Sequence, residues 1–353
     1  MTMIIDGSLG TTFPDSSLQP AAASPYVLKN KIINGAMVID QRNAGASVSI
    51  PSTGGQYTLD RWKIISNQSS KMTVQQNAAS VTPPTGFTNY LGVTSSSSYT
   101  VLTGDYFYLE QGIEGYNIAD LAWGTANAKT ITLSFQVRSS LTGTFGGAVS
   151  NSAQDRSYPF TYTISTANTW TQISVTIAGD TSGTWLTTNG VGIRAFFGLG
   201  VGTTYSGTSG AWAGATYVSS TGATSVVGTN GATFYITGVQ LEQNTSATPF
   251  ERRLYGQELI NCQRYYEVGL ARNAIMWSGF LNAAVQSTFS NKGFSVVKRA
   301  TPTIVTSNET LNGFASGVPS LAIDTTGIQG NKSSSTSGNN GYWFYNWTAD
   351  AEL

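Results

Sequence analysis

Period-two alternation of apolar and polar residues constrains this chain more than any other feature. In KTITLSFQVR (129–138), Ile131, Leu133, Phe135 and Val137 fall on one face and Thr130, Thr132, Ser134 and Gln136 on the other. That is the pattern of a half-buried strand. TWTQISVTIAG repeats it with Ile173, Val175 and Ile177, and VGIRAFFGLGV with Val191, Ile193, Ala195 and Phe197. TFYITGVQLEQ sets Tyr235, Thr237, Val239 and Leu241 against Phe234, Ile236, Gly238 and Gln240. Such strands, separated by Gly, Asn and Thr turns, predict a two-layer antiparallel sandwich. The expected fold class is all-β. It comprises an extended leader over 1–29, a jelly-roll sandwich over 30–253, one short linking helix, and a smaller C-terminal β domain over 254–353.

The helix is predicted in GQELINCQRYYEV, where Leu259, Cys262 and Tyr266 recur at helical spacing and Glu258 stands near the start. The final strand places Tyr342, Phe344 and Asn346 on one side and Trp343, Tyr345 and Trp347 on the other. Two aromatic faces imply that both are covered, one by core and one by another chain or a ligand. Between Arg194 and Glu242 stand 47 consecutive uncharged residues, and 201–233 holds 20 Gly, Ser or Thr among 33 positions. A loop of that length is functional or flexible, or in an assembly it packs against a neighbouring subunit. Absence of charge suits the last option, because lone charges in a buried interface are costly.

At 353 residues the chain has room for two domains, at ~150 residues each. Only 10% of residues are charged, while 40% are hydrophobic and 11% aromatic, enough for a packed core. Net charge is zero, with 18 basic and 18 acidic residues, so no positive field gathers phosphates and nucleic acid is not an expected partner. No apolar stretch approaches the ~18 residues of a membrane span, and no signal-peptide pattern opens the chain. The expectation is synthesis in a reducing cytoplasm without export or membrane insertion. With a single cysteine, Cys262, no intrachain disulfide forms.

Histidine is absent, which removes the commonest general base, metal ligand and triad member together. Cys262, in an apolar stripe with no histidine to activate it, reads as a structural thiol. A two-carboxylate glycosidase would draw on Asp105, Glu110, Glu114 and Asp120. Its acids must stand about 5 to 10 Å apart. On a straight strand Glu110 and Glu114 share a face roughly 13 Å apart, and solvated or turn-forming acids explain the group better. DTSG at Asp180 and DTTG at Asp324 read as turns in preference to Ca²⁺ ligands. No catalytic residue, cofactor or metal is therefore expected. Sugar rings stack on exposed aromatics. Trp212, Tyr217, Trp277, Trp343 and Trp347 are the candidates, with core or interface packing as the competing role of each.

Several phrases resemble one class of object. NKIINGAMVIDQRNAGASV (30–48), YTLDRW (57–62), FYITGVQLEQNTSATPFERRLYGQELINCQRYYEVG (234–269), KRATPTI (298–304) and the ending WFYNWTADAEL resemble tailed-bacteriophage fibre and appendage proteins. The order YLEQGIEGYNIADLAW, TITLSF, WTQISVTI, FYITGVQLE is similar to the jelly roll of carbohydrate-binding modules. The opening IDGSLGTTFPDSSLQ looks like a leader that such proteins use near the virion, with Ile5, Phe13, Pro14 and Leu18 as its attachment residues. The resemblance implies a non-enzymatic virion part, on tail or capsid, working as a homotrimer. Its leader would contact other virion proteins, and its surface would bind a host polysaccharide. A polysaccharide depolymerase and a passive decoration or connector protein are the alternatives.

Overall fold

The alternating segments pair into two facing six-stranded antiparallel sheets. The first runs Thr171–Ile177, Ile131–Ser139, Thr233–Glu242, Leu91–Ser95, Met72–Gln76, Val48–Ser49. The second runs Ser157–Ile164, Gly143–Ser150, Val191–Val201, Tyr106–Glu114, Trp62–Ser66, Gly55–Leu59. The core between them takes the expected faces, including Ile131, Leu133, Phe135 and Val137, with Trp62, Phe107, Phe145 and Phe197 from the second sheet. Phe135 meets Phe197 edge-on at 5.1 Å, so the two sheets interlock at their centre. The computed structural model describes residues 29–50, 54–270 and 273–353, and of the leader the backbone strands Ile4–Asp6, Gly10–Thr12 and Leu18–Gln19. Ile5 pairs with Thr11 and Leu18 with Thr12 in that small antiparallel sheet, while Phe13 and Pro14 lie outside the described residues.

One strand departs from strict alternation. Phe234, Ile236, Val239 and Leu241 all face the core, so the inward set changes parity after Ile236. Ser134 pairs with Gln240 but Gln136 with Thr237, leaving Gly238 and Val239 together opposite one residue. Gly238 sits at φ 61°, a conformation that glycine reaches without Cβ strain, and it supplies the extra residue of a β-bulge.

The uncharged 201–233 segment folds back over the outer face of its own second sheet. Val226 and Val227 enter the main core, and Val218 packs on Tyr108, Ala148 and Phe196. A Cβ at Gly146 or Gly198 would stand about 2.5 Å from Ser219 Oγ, so those two glycines let the segment lie flat on the sheet.

The helix forms over Tyr255–Gln263 and buries Cys262, whose thiol burial pushes well above its ordinary pKa. Tyr266, expected on its stripe, instead begins the strand Tyr266–Gly269. The second unit is built round the twelve-residue strand Asn339–Asp350. Tyr266–Gly269 and Ile275–Leu281 pair along one edge of it, and Thr303–Asn312 along the other. A smaller sheet of Ser287–Gly293, Gly327–Ser333 and Ser320–Ile323 closes over it. Trp343, Tyr345, Trp347 and Ala349 face the core between the two sheets with Ile275, Leu281 and Ile328. The opposite face leaves Tyr342, Met276, Phe280 and Val305 exposed.

Glu309 ties this unit together by accepting from Tyr345 Oη at 2.6 Å, Ser316 Oγ at 2.7 Å and the Gly317 N–H at 2.8 Å. Those bonds, Tyr345's first, hold its carboxyl down at about 2, against 4.5 in an unfolded chain. A depressed carboxylate stabilises the fold above the unfolded value and loses that contribution as pH falls through the folded one. Thermal unfolding should therefore show a midpoint drop between about pH 4.5 and 2 that is shallower in Glu309→Gln. Identical acid limbs for the two proteins would refute the assignment.

The phrases that resemble fibre proteins converge on the seam between sandwich and second unit. Asn34, in the left-handed region, donates to the carbonyls of Ile39 (2.8 Å) and Asp60 (3.0 Å) and receives Trp62 Nε1 on its own carbonyl. Arg253 bridges Glu251 and Glu258. Arg42 lies 3.6 Å over the Tyr266 ring and reaches Asp350 at 3.2 Å and Glu352 at 3.0 Å. Arg61, 1% exposed, pairs with Glu352, donates to the Gly112 carbonyl and covers the Tyr265 ring at 3.6 Å. Lys298 pairs with Glu267, and Arg299 donates to the carbonyls of Ala351 and Glu352, each at 2.6 Å.

Candidate functional site

On the second sheet the outward residues form a strip of aromatic and charged groups. Glu110 and Phe196 are direct cross-strand partners, and Arg194 is two residues along on the same face. Arg194 donates to Glu110 Oε1, and Tyr108 meets Phe196 edge-on at 5.3 Å. At the rim Tyr106 stands 5.8 Å from Tyr108 and 5.2 Å from Tyr205 of the folded-back segment. Lys63 is the cross-strand partner of Glu110 on the far side.

This strip carries unspent hydrogen-bonding capacity. Among the described residues, Glu110 Oε2, Arg194 Nε, Ser219 Oγ and Ser220 Oγ are buried without a protein partner, as are Arg42 Nε, Asp60 Oδ1, Arg61 Nε and Tyr162 Oη elsewhere. Buried polar atoms are nearly always bonded, and an exception calls for strain, a bound water or ion, or a functional role. A carboxylate accepts from sugar hydroxyls, a guanidinium donates to them, and a tyrosine ring stacks on the apolar face of a pyranose. Tyr108 and Phe196 are buried beneath the folded-back segment, so Tyr106 and Tyr205, half-buried at the rim, are the rings of this strip that a ligand can reach.

The acids named in the sequence do other work. Glu114 accepts from Arg264 at 2.6 and 2.9 Å and from Tyr265 Oη at 2.6 Å. Burial raises its pKa, but these bonds outweigh burial and keep it below the ordinary glutamate value. Asp105 is a turn anchor that accepts from Tyr99 Oη, the Leu102 N–H, Gln68 and Asn67. Only Asp120 is a solvated acid, paired with Lys31 at 2.8 Å. Asp105 is thus turn-forming, and Asp120 solvated, as expected, whereas Glu110 and Glu114 are buried in ion pairs where solvated or turn positions were the expectation. Glu110 is paired with Arg194 and Glu114 with Arg264, so each carboxylate faces its own guanidinium. Asp180 and Asp324 do serve turns: Asp180 accepts from Arg156 and the Ser182 N–H, and Asp324 from Thr326 and the Gly327 N–H.

The five aromatic candidates separate. Trp212 is held in a cluster with Trp123 (5.3 Å), Trp185 (5.5 Å) and Tyr158 (5.3 Å), and its Nε1 donates to the Ala178 carbonyl at 2.8 Å. Tyr217 is half-buried with its ring laid on the backbone of Gly207. Trp277 is half-buried edge-on to Phe314 at 5.7 Å. Trp343 and Trp347 are wholly buried, which leaves neither a ring face for a sugar. The residues that form the strip, Tyr106, Tyr108, Arg194 and Phe196, were missed. The available signal was a charge and a large aromatic, Arg194 and Phe196, on the polar parity of a strand whose other parity was already core.

No protein-family model matches the chain, and no curated protein matches it. Among solved structures it is similar to the enzymatically active domain of tailspike protein 4 of bacteriophage CBA120, at 13% identity and a TM-score of 0.34. That match covers 63% of this chain and 22% of the other. A family 11 carbohydrate-binding module of Clostridium thermocellum, in complex with a beta-1,3-1,4-mixed-linked tetrasaccharide, matches at 12% identity and a TM-score of 0.29, over 57% of this chain and 98% of that one. TmCBM61, in complex with beta-1,4-galactotriose, matches at 11% identity and 0.28, over 52% and 88%. At these scores the likeness is a loose one of β architecture and adds nothing to what the site's own atoms say.

Proposed function

We propose that the chain is a surface part of a tailed-bacteriophage virion, a fibre or appendage protein that binds a host-surface glycan and works as a homotrimer. The observation that carries glycan binding is the half-buried pair Tyr106 and Tyr205, edge-on at 5.2 Å at the rim of the second sheet's outer face beside the half-buried Arg194. The virion role is supported by the fibre-like phrases, and the trimer by the exposed, uncharged face of Met276, Phe280, Val305 and Tyr342.

Tyr106→Ala is the direct test. Tyr106 is half-buried at the rim, so its loss should weaken glycan binding and host-cell staining about tenfold, the scale of one lost stacking contact. The thermal midpoint should hardly move. Unchanged staining would take recognition away from this face.

Leader removal tests the virion half of the reading. Lys29 is already anchored, its N–H donating to Glu251 at 2.6 Å, so the sandwich does not need what precedes it. Protein lacking 1–28, and with it Ile5, Phe13, Pro14 and Leu18, is expected to sediment as the same trimer and to be missing from particles. A folded monomer in sedimentation sinks the trimer, and incorporation of the truncated chain sinks leader attachment.

A further inference from the structure

A second groove crosses the outer face of the first sheet, on the other side of the sandwich from the Glu110–Arg194 strip. Its volume is about 560 Å³, within the ~300–1,000 Å³ usual for small-molecule sites. Ser134, Gln136 and Gln172 supply its floor, and Phe87, Phe250 and Arg252 its wall. The two phenylalanines meet edge-on at 5.1 Å, and the Arg252 guanidinium lies 4.8 Å from the Phe87 ring. The Gly238 bulge makes the room, because a Cβ there would stand 2.6 Å from the Phe87 ring. A bulge that re-aims side chains beside an open groove is a recurring device at binding sites.

Charge separates this groove from the strip on the other sheet. Arg252 is exposed and forms no ion pair among the described residues, whereas the adjacent Arg253 is engaged by Glu251 and Glu258. No carboxylate lines the groove. Gln136 Nε2 donates to Gln172 Oε1, and Gln172 Nε2 to the Ile173 carbonyl at 3.1 Å, so the floor presents two oriented amides. An unpaired guanidinium stacked on aromatic rings keeps its N–H edge free, the geometry that grips a carboxylate in two places.

We propose that this groove binds an acidic saccharide, with the carboxylate of a uronic- or nonulosonic-type sugar on Arg252. The ring lies against Phe87 and Phe250, and the hydroxyls meet Gln136 and Gln172. The proposal extends the glycan-binding reading, which concerns the opposite sheet.

The test uses the full chain and calorimetric titration with oligogalacturonate, a sialylated oligosaccharide, and oligogalacturonate methyl ester, which keeps the rings and removes the charge. At least one acid is expected to bind, and the ester about tenfold or more weaker, the scale of one lost charge-assisted pair. Arg252→Gln should remove that preference with no change in thermal midpoint, while Tyr106→Ala should leave it intact. Equal affinity for acid and ester, binding of neither acid at millimolar concentration, or an unaltered preference in Arg252→Gln would each overturn the proposal. Host-cell staining that survives Arg252→Gln but not Tyr106→Ala would overturn it while leaving the other face's role standing.

Discussion

Trp343→Ala is expected to unfold the second unit or bring it close to unfolding. The side chain is wholly buried, tilted against Tyr345 at 6.1 Å and close over Gly330 of the smaller sheet. Its Nε1 donates to Thr288 Oγ1 at 2.7 Å, joining the two sheets of the unit. Removing a packed Trp costs ~3–5 kcal/mol through lost transfer energy and the cavity left behind. Thr288 Oγ1 loses this donor but keeps its own bond to the Lys332 carbonyl at 2.7 Å. Against the 5–15 kcal/mol that holds an ordinary domain, the loss of the packed ring is a large part of the margin. Trp343→Phe keeps most of the packing and should lose far less. Circular dichroism melts read the ranking, and equal midpoints for the two variants would mean the ring is not a keystone.

Arg61→Ala should be the most damaging single change at the seam. Arg61 is 1% exposed and its partner Glu352 4%, so solvent screens neither. Taking away one member of a buried pair costs ~3–5 kcal/mol when the other is left alone, and here Arg42 stays on Glu352 Oε1 at 3.0 Å, so the loss should fall toward the lower end. The Gly112 carbonyl and the Tyr265 ring lose their cation as well. Because Arg61→Ala already removes what Glu352 Oε2 is paired with, the loss on adding Glu352→Gln should be smaller than that of Glu352→Gln alone, which gives up both Arg61 and Arg42. A double-mutant cycle in urea measures the coupling. Strictly additive losses would show that the pair is not a unit.

Much of the sandwich was legible because alternation reports a face directly. Ile131, Leu133, Phe135 and Val137 needed only their spacing to be placed in the core. Alternation fails where one residue is inserted, and Gly238 moved Val239 and Leu241 onto the face shared with Phe234 and Ile236. A glycine inside a strand pattern was the available warning. Parity also names a face without naming a partner. Glu110 meets Arg194 across 84 residues and Glu114 meets Arg264 across 150, distances over which no local pattern speaks. The last strand shows the same limit: its two aromatic faces were evident, but that the tryptophan face was the core followed only from its pairing with Ile275 and Trp277. Composition of the 201–233 segment told of burial and left open which surface buried it.

The seam has a mechanical consequence. The chain leaves the sandwich once, at the start of the helix, yet the second unit is tied back to it by Arg42 and Arg61 on Glu352 and by Tyr57 Oη on the Leu353 carbonyl at 2.7 Å. Covalent and ionic connections therefore carry load side by side, and a bending force must break several buried pairs at once. A single covalent strand would act as a pivot, whereas this doubled joint transmits torque from one unit to the other. In a part exposed to shear, the two units would turn together as one stiff lever arm.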